Sequence, residues 1–200
     1  MIGSSLFAVG AAVAIWDMGS SDLTNIFGFI GAWFFTAAGL MQLMLSDSAT
    51  TEVDYGPGWM FRAAWLAAAI QSVGTILFNV STSAALTAHT VQEEERAVWS
   101  PDAGGSVAFL ISATFVYVAY LRERGTLWQP RESSWWDSHI NMVGCIAFGV
   151  SAVGAFVLSD GALVDTSLAD WGTFIGAICF FLASAIVLPQ LPWNRASEEG

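Results

Sequence analysis

The 200-residue chain contains no lysine; its six basic residues are all arginines. Without a lysine amine there is no retinal Schiff base and no pyridoxal-phosphate linkage. Against those six stand 17 acidic residues, for a net charge of −11, so a basic surface for nucleic acid is absent as well. Cysteine is nearly missing: Cys145 and Cys179 form no C-x-x-C and have no histidine nearby, and they read as small packing residues rather than a zinc or redox site. The two histidines, His89 and His139, fall at opposite ends of the predicted bundle, which leaves no haem pair. Nucleotide-binding, hydrolase and metalloprotease signatures (G-x-x-x-x-G-K, G-x-S-x-G, H-E-x-x-H) do not occur. No catalytic residue, metal ligand or cofactor is therefore assigned. The chain is not read as an enzyme, because no predicted span pairs two ionisable groups for acid–base work.

Charge of either sign is also sparse. Charged residues make up 12% of the chain against 55% hydrophobic, and the mean hydropathy is +0.59. Residues 26–45, 63–80, 103–121, 139–158 and 171–188 carry no charge at neutral pH. Each is close to the roughly 20 residues that cross about 30 Å of hydrocarbon as a helix. Barrel strands would alternate with period two, and these runs do not. Residues 2–16 form a sixth apolar run, about 22 Å long at helical rise. It lacks the basic leader of a signal peptide. Its shortness implies either a start site that omits part of a helix or local thinning of the bilayer. The expected fold is all-α: a polytopic integral membrane protein, six transmembrane helices arranged as three parallel-repeated helical hairpins. An acidic, lysine-free composition is typical of proteins working in high salt; a GC-rich genome and few exposed positions would produce it too.

What the chain does have is a repeat. A glycine is followed by phenylalanine at +4 and a small residue at +7 in Gly3/Phe7/Gly10, Gly31/Phe35/Ala38, Gly74/Phe78/Ser81, Gly105/Phe109/Ser112, Gly144/Phe148/Ser151 and Gly176/Phe180/Ala183. Trp65 and Trp135 precede their glycines by the same interval, aligning Ile70 with Ile140 and Gln71 with Asn141. The chain thus reads as one membrane domain, 1–200, with hairpin repeats at 1–46, 59–122 and 135–190. Units of two spans must repeat in parallel, about an axis near the membrane normal. Arg62, Arg122, Arg124, Arg131 and Arg195 fall on the face carrying both termini and only Arg96 on the other. A multi-pass protein of the cell membrane with both termini cytoplasmic is expected. Trp16, Trp59, Trp99, Trp128, Trp135, Trp136 and Trp171 lie at span ends, as headgroup-level rings do; Trp33 is the exception.

At about 100° per residue, glycine, phenylalanine, the +7 residue and position −3 share a stripe about 80° wide. Small residues two turns apart let helix backbones approach, and the phenylalanine fills the space beneath the crossing. The −3 positions include Gln71, Asp102, Asn141 and Thr173. A polar pathway, if the stripes converge on one, would use Gln71, Asn79 and Asn141, with His139 and Asp137 at the entrance of the fifth helix. The plainer reading is interhelical hydrogen bonding for the amides and a solvated helix start for Asp137 and His139. The connection 81–102, with Glu93, Glu94 and Glu95, reads as a solvated loop or a short surface helix, or else as a cation-collecting vestibule.

The string Trp99-Ser100-Pro101, followed by Gly105-Ser106-Val107-Ala108-Phe109-Leu110-Ile111-Ser112-Ala113, resembles the YrhK-like membrane domain, a helix pair in which W-x-P leads into G-S-x-x-F-x-x-G-S. The third hairpin departs from it: Cys145 and Ala177 replace the serine, and Asp170-Trp171-Gly172 stands where Trp-x-Pro would. The resemblance implies a multi-hairpin membrane fold and carries over no catalytic residue. The expected function is a non-enzymatic structural or interaction module, partnered by the lipid bilayer and by itself or another membrane protein. A small transporter or channel at the repeat interface is the alternative.

Overall fold

Apolar runs of this length satisfy their backbone groups internally, and here they do so as helices. The computed structural model describes residues 1–46, 48–52 and 59–188. The helices are α1 (Ile2–Ile15), α2 (Ser21–Leu45), α3 (Ala63–Ala85), α4 (Val91–Arg124), α5 (Ser133–Gly154) and α6 (Thr166–Val187). A small antiparallel pair, β1 (Thr50–Glu52) and β2 (Trp59–Phe61), precedes α3, with Thr50 opposite Phe61. The expected end of the third repeat, at 189–190, and Arg195 lie outside the described residues.

Local chemistry sets the helix boundaries. Ser20 starts α2 by accepting the Leu23 N–H at 3.3 Å, and Asp165 starts α6 by accepting that of Leu168 at 2.9 Å. Asp17, at φ 50°, turns the chain between α1 and α2, and Gly125, at φ 70°, ends α4 in the left-handed conformation. The 81–102 connection is shorter than expected: α3 runs on to Ala85 and α4 begins at Val91, which leaves only 86–90 outside helix. A capping box is the cause. Thr90 Oγ1 accepts the Glu93 N–H at 3.2 Å, and the Glu93 carboxylate accepts those of Thr90 and His89 at 3.1 and 3.0 Å. Glu94–Trp99 then turn with the wider i→i+5 spacing before regular α-helix resumes at Ser100.

Among the described residues, four helices are long and apolar enough to cross a membrane: α2, α3, α4 and α6. The fifth, α5, matches α6 in length at 22 residues, but its first turns carry Ser133, Ser134, Asp137, Ser138, His139 and Asn141. The first, α1, is apolar and has 14 residues. Each helix packs on its neighbours in sequence, most extensively within the pairs α3–α4 and α5–α6, and α6 returns to α1. The six therefore close into a ring. Its exterior departs from the usual order: beside buried phenylalanines and alanines, Ser4, Ser72, Thr75, Ser81, Ser106, Ser112, Ser138 and Ser151 are buried, whereas the aliphatic Val73, Ile76, Val107, Ile111, Val143, Ile146 and Ile175 are exposed.

Candidate functional site

Within each helix pair the two repeat glycines meet. A Cβ on Gly74 would lie 2.6 Å from the Phe109 ring and 3.2 Å from the Gly105 carbonyl oxygen; one on Gly105 would meet the Phe78 ring at 3.0 Å. Gly144 and Gly176 repeat this, facing the Phe180 and Phe148 rings at 2.7 Å each. In the first pair, Gly3 faces the Gly31 carbonyl oxygen at 2.8 Å and Gly31 faces Phe7 at 2.8 Å, with Phe35 against Gly3 at 3.3 Å. Each phenylalanine thus covers the glycine of the opposite helix, and two backbones approach where neither residue has a side chain in the way.

The same geometry sends all six phenylalanines to the middle of the ring. Phe7, Phe78, Phe109, Phe148 and Phe180 belong to one buried cluster with Phe35 packed against it. Ring centroids lie 6.4 Å apart for Phe7–Phe78, 5.7 Å for Phe78–Phe148, 5.9 Å for Phe35–Phe180 and 5.7 Å for Phe109–Phe180, so contacts cross between pairs as well as within them. Most are edge-on, the geometry that places a ring's positive edge on a negative face, at about 0.5–1.5 kcal/mol per pair beyond area burial. The centre of the ring is an aromatic plug.

The residue after each repeat glycine is a position that the sequence pattern did not single out. Ser4, Ala32, Thr75, Ser106, Cys145 and Ala177 are all at most 2% exposed. Their shared signal is small size in every copy. The +7 position holds less uniformly: Gly10, Ser81, Ser112, Ser151 and Ala183 are buried, but Ala38 is exposed. In α2 its neighbour Gly39 takes the inward place, where its carbonyl accepts the Ser72 hydroxyl at 2.9 Å. Within pairs, Ser112 Oγ donates to Ala67 O at 2.8 Å and Ser151 Oγ to Ala169 O at 2.7 Å. Between pairs, Ser106 Oγ donates to Phe148 O at 3.3 Å and Trp99 Nε1 to Ala152 O at 2.8 Å.

The polar residues marked by the sequence do not converge. Asn79 Nδ2 donates to Ala32 O at 3.2 Å and to Thr36 Oγ1, and Thr36 donates onward to Thr75 O at 3.1 Å, so this amide joins α3 to α2. Its Oδ1 is buried without a partner among the described residues. Asn141 Nδ2 points at Cys145 Sγ, 3.9 Å away on its own helix. Gln71 and Asp137 are half-buried. His139 Nδ1 lies 2.7 Å from Trp135 O, which makes it the donor, and its ring stands between Trp135 and Tyr117 at 4.1 and 5.1 Å. Trp135 is itself buried and donates to Leu127 O at 2.7 Å, unlike a headgroup-level ring. No protein-family model, curated protein or solved structure matches the chain. Its chemistry has to be argued from its own residues.

Two cavities stand out. One, of about 440 Å³, is an apolar groove between α4 and α5 lined by Trp99, Leu110 and Val150. The other, of about 140 Å³, lies at the end of the ring that carries the turns within the pairs, where α1, α2, α3 and α6 meet over Phe7. Neither is lined by Gln71, Asn79, Asn141, His139 or Asp137. Among the described residues, no group of three metal-ligating side chains occurs, and both cysteines are free.

Proposed function

We propose that this chain is a six-span integral membrane protein of three helical hairpins, similar in plan to the YrhK-like domain, acting as a non-enzymatic structural or interaction module. The observation that carries the reading is the aromatic plug. Six phenylalanines fill the axis on which a pathway between the hairpins would run, and Asn79, Ser106, Ser112 and Ser151 bond across helices. The inverted surface supports the membrane setting: aliphatic side chains face outward on α3, α4, α5 and α6, an arrangement that water penalises and lipid does not. With the inside closed, interaction falls to the outer faces, where the module meets lipid, a second copy or another membrane protein.

The test is purification at native expression level in mild detergent, with crosslinking beforehand and identification of what co-purifies. Recovery of a defined self-oligomer or a specific membrane partner supports the module. A monomer that passes solute when reconstituted into liposomes would point to the transporter or channel instead, since that activity requires the six rings to part.

A further inference from the structure

We propose that the cavity over Phe7 is a binding site for one small monovalent cation, held by the Asp170 carboxylate and by the neutral oxygens of Thr24, Asn25, Thr82 and Thr173. The argument starts from where the hydrogens go. Thr24 donates its hydroxyl proton to Gly10 O at 3.4 Å, and Thr82 donates its own to Phe78 O at 2.8 Å. Ser151 gives its proton to Ala169 O at 2.7 Å, so in the 2.8 Å contact between Ser151 and Thr173 the donor is Thr173. Asn25 donates from Nδ2 to Ala85 O at 3.0 Å, leaving Oδ1 as acceptor. A hydroxyl whose single proton is committed offers only lone pairs. The polar lining of this cavity is therefore rich in acceptors, and its one charge is negative.

No arginine lines the cavity, and no hydrogen bond or ion pair engages the Asp170 carboxylate among the described residues. Helix dipoles do not supply the missing positive charge. The C-terminal ends of α1 and α3 and the N-terminal ends of α2 and α6 meet here, and their opposite partial charges offset one another. The ligand set favours a single charge: divalent sites recruit several carboxylates or demand tight octahedral geometry, whereas here one carboxylate stands among neutral oxygens. A volume of about 140 Å³ accommodates the ion together with several waters, each occupying about 30 Å³ in the liquid. Phe7, a member of the buried aromatic cluster, lines the cavity as well.

The ligands come from α2, α3 and α6, one helix of each pair. A bound ion would tie the three pairs together at this end, and binding to the folded state alone raises stability by mass action. This inference is independent of the association reading, since it needs only the packing of four helices.

The test is thermal unfolding of the full chain in mild detergent at constant ionic strength, in sodium, potassium or choline chloride. The wild type is expected to unfold at a higher, saturable midpoint in one or both alkali salts than in choline. Asp170→Asn should remove that difference while keeping the choline midpoint, and Thr82→Val should weaken the apparent affinity at least about tenfold. Equal midpoints in all three salts, or an undiminished response in Asp170→Asn, overturns the site. Should Asp170→Asn fail to fold, equilibrium dialysis of the wild type with radiolabelled sodium or rubidium decides the matter: a saturable uptake of one ion per chain supports it, and no saturable uptake overturns it.

Discussion

Glycine at a helix crossing carries two opposing terms, and their balance differs from site to site along this chain. Replacing a helical glycine by alanine gains about 1 kcal/mol of helix propensity. At Gly172, however, the new Cβ would lie 2.7 Å from Ser151 N and 2.8 Å from Ala147 O, backbone atoms that cannot rotate aside. At Gly28 it would meet only the Thr82 methyl, at an ordinary 3.6 Å. Overpacking against fixed atoms costs about 1–3 kcal/mol. Gly172→Ala is therefore expected to lower the unfolding midpoint in detergent and Gly28→Ala to leave it unchanged or raise it. A Gly172→Ala midpoint equal to or above that of the wild type would show that the crossing is less tight than its geometry implies. Much of this was legible beforehand, because glycine and phenylalanine are extreme in size and their recurrence at +4 leaves few packing solutions. The +1 residue was marked only through the serine of the YrhK-like pattern and not through the six-fold repeat, because serine, alanine, threonine and cysteine share only smallness. Asn79 was legible as an interhelical amide but its partner was not, because Ala32 O is a backbone carbonyl and every residue has one of those.

Elements begin and join where side chains complete unpaired backbone groups. The sequence Thr90-Val91-Gln92-Glu93 already spells a capping box, yet the run of three glutamates drew attention to solvation and hid the helix start. Thr90→Ala removes the acceptor for the Glu93 N–H and is expected to destabilise the first turns of α4 by about 1 kcal/mol. Hydrogen exchange would read this as about five-fold faster exchange over 91–99 with protection at 105–120 unchanged. A uniform change along the helix would argue against a local cap. Across an interface, Ser151→Ala deletes the bond from α5 to Ala169 O on α6 and the partner of the Thr173 hydroxyl. Interhelical bonds of this kind contribute about 0.6–2 kcal/mol. The expected result is a loss in that range, with a double-mutant cycle against Thr173→Val showing coupling because the two residues share one network.

For the whole molecule, the arrangement follows from an even number of helices closing on themselves. Six helices, each packed on the next in sequence and with α6 returning to α1, alternate in direction, so the turns 16–20, 86–90 and 155–165 gather at one end and the link 125–132 at the other. Hydropathy alone supports four crossings; the shared Gly–Phe register is the argument that α1 and α5 cross with them, because their repeat residues sit at the same level of the ring as the other four. If all six cross with the arginine-rich face cytoplasmic, a cysteine at Asp160 faces outward and one at Thr126 inward. In a background lacking Cys145 and Cys179, a membrane-impermeant maleimide applied to right-side-out vesicles should label Asp160→Cys at once and Thr126→Cys only after permeabilisation. The reverse pattern would retain six spans and invert the orientation. Simultaneous labelling of both positions in sealed vesicles would mean that α5, the one helix between them, does not cross, and the six-span ring in the bilayer would have to be abandoned.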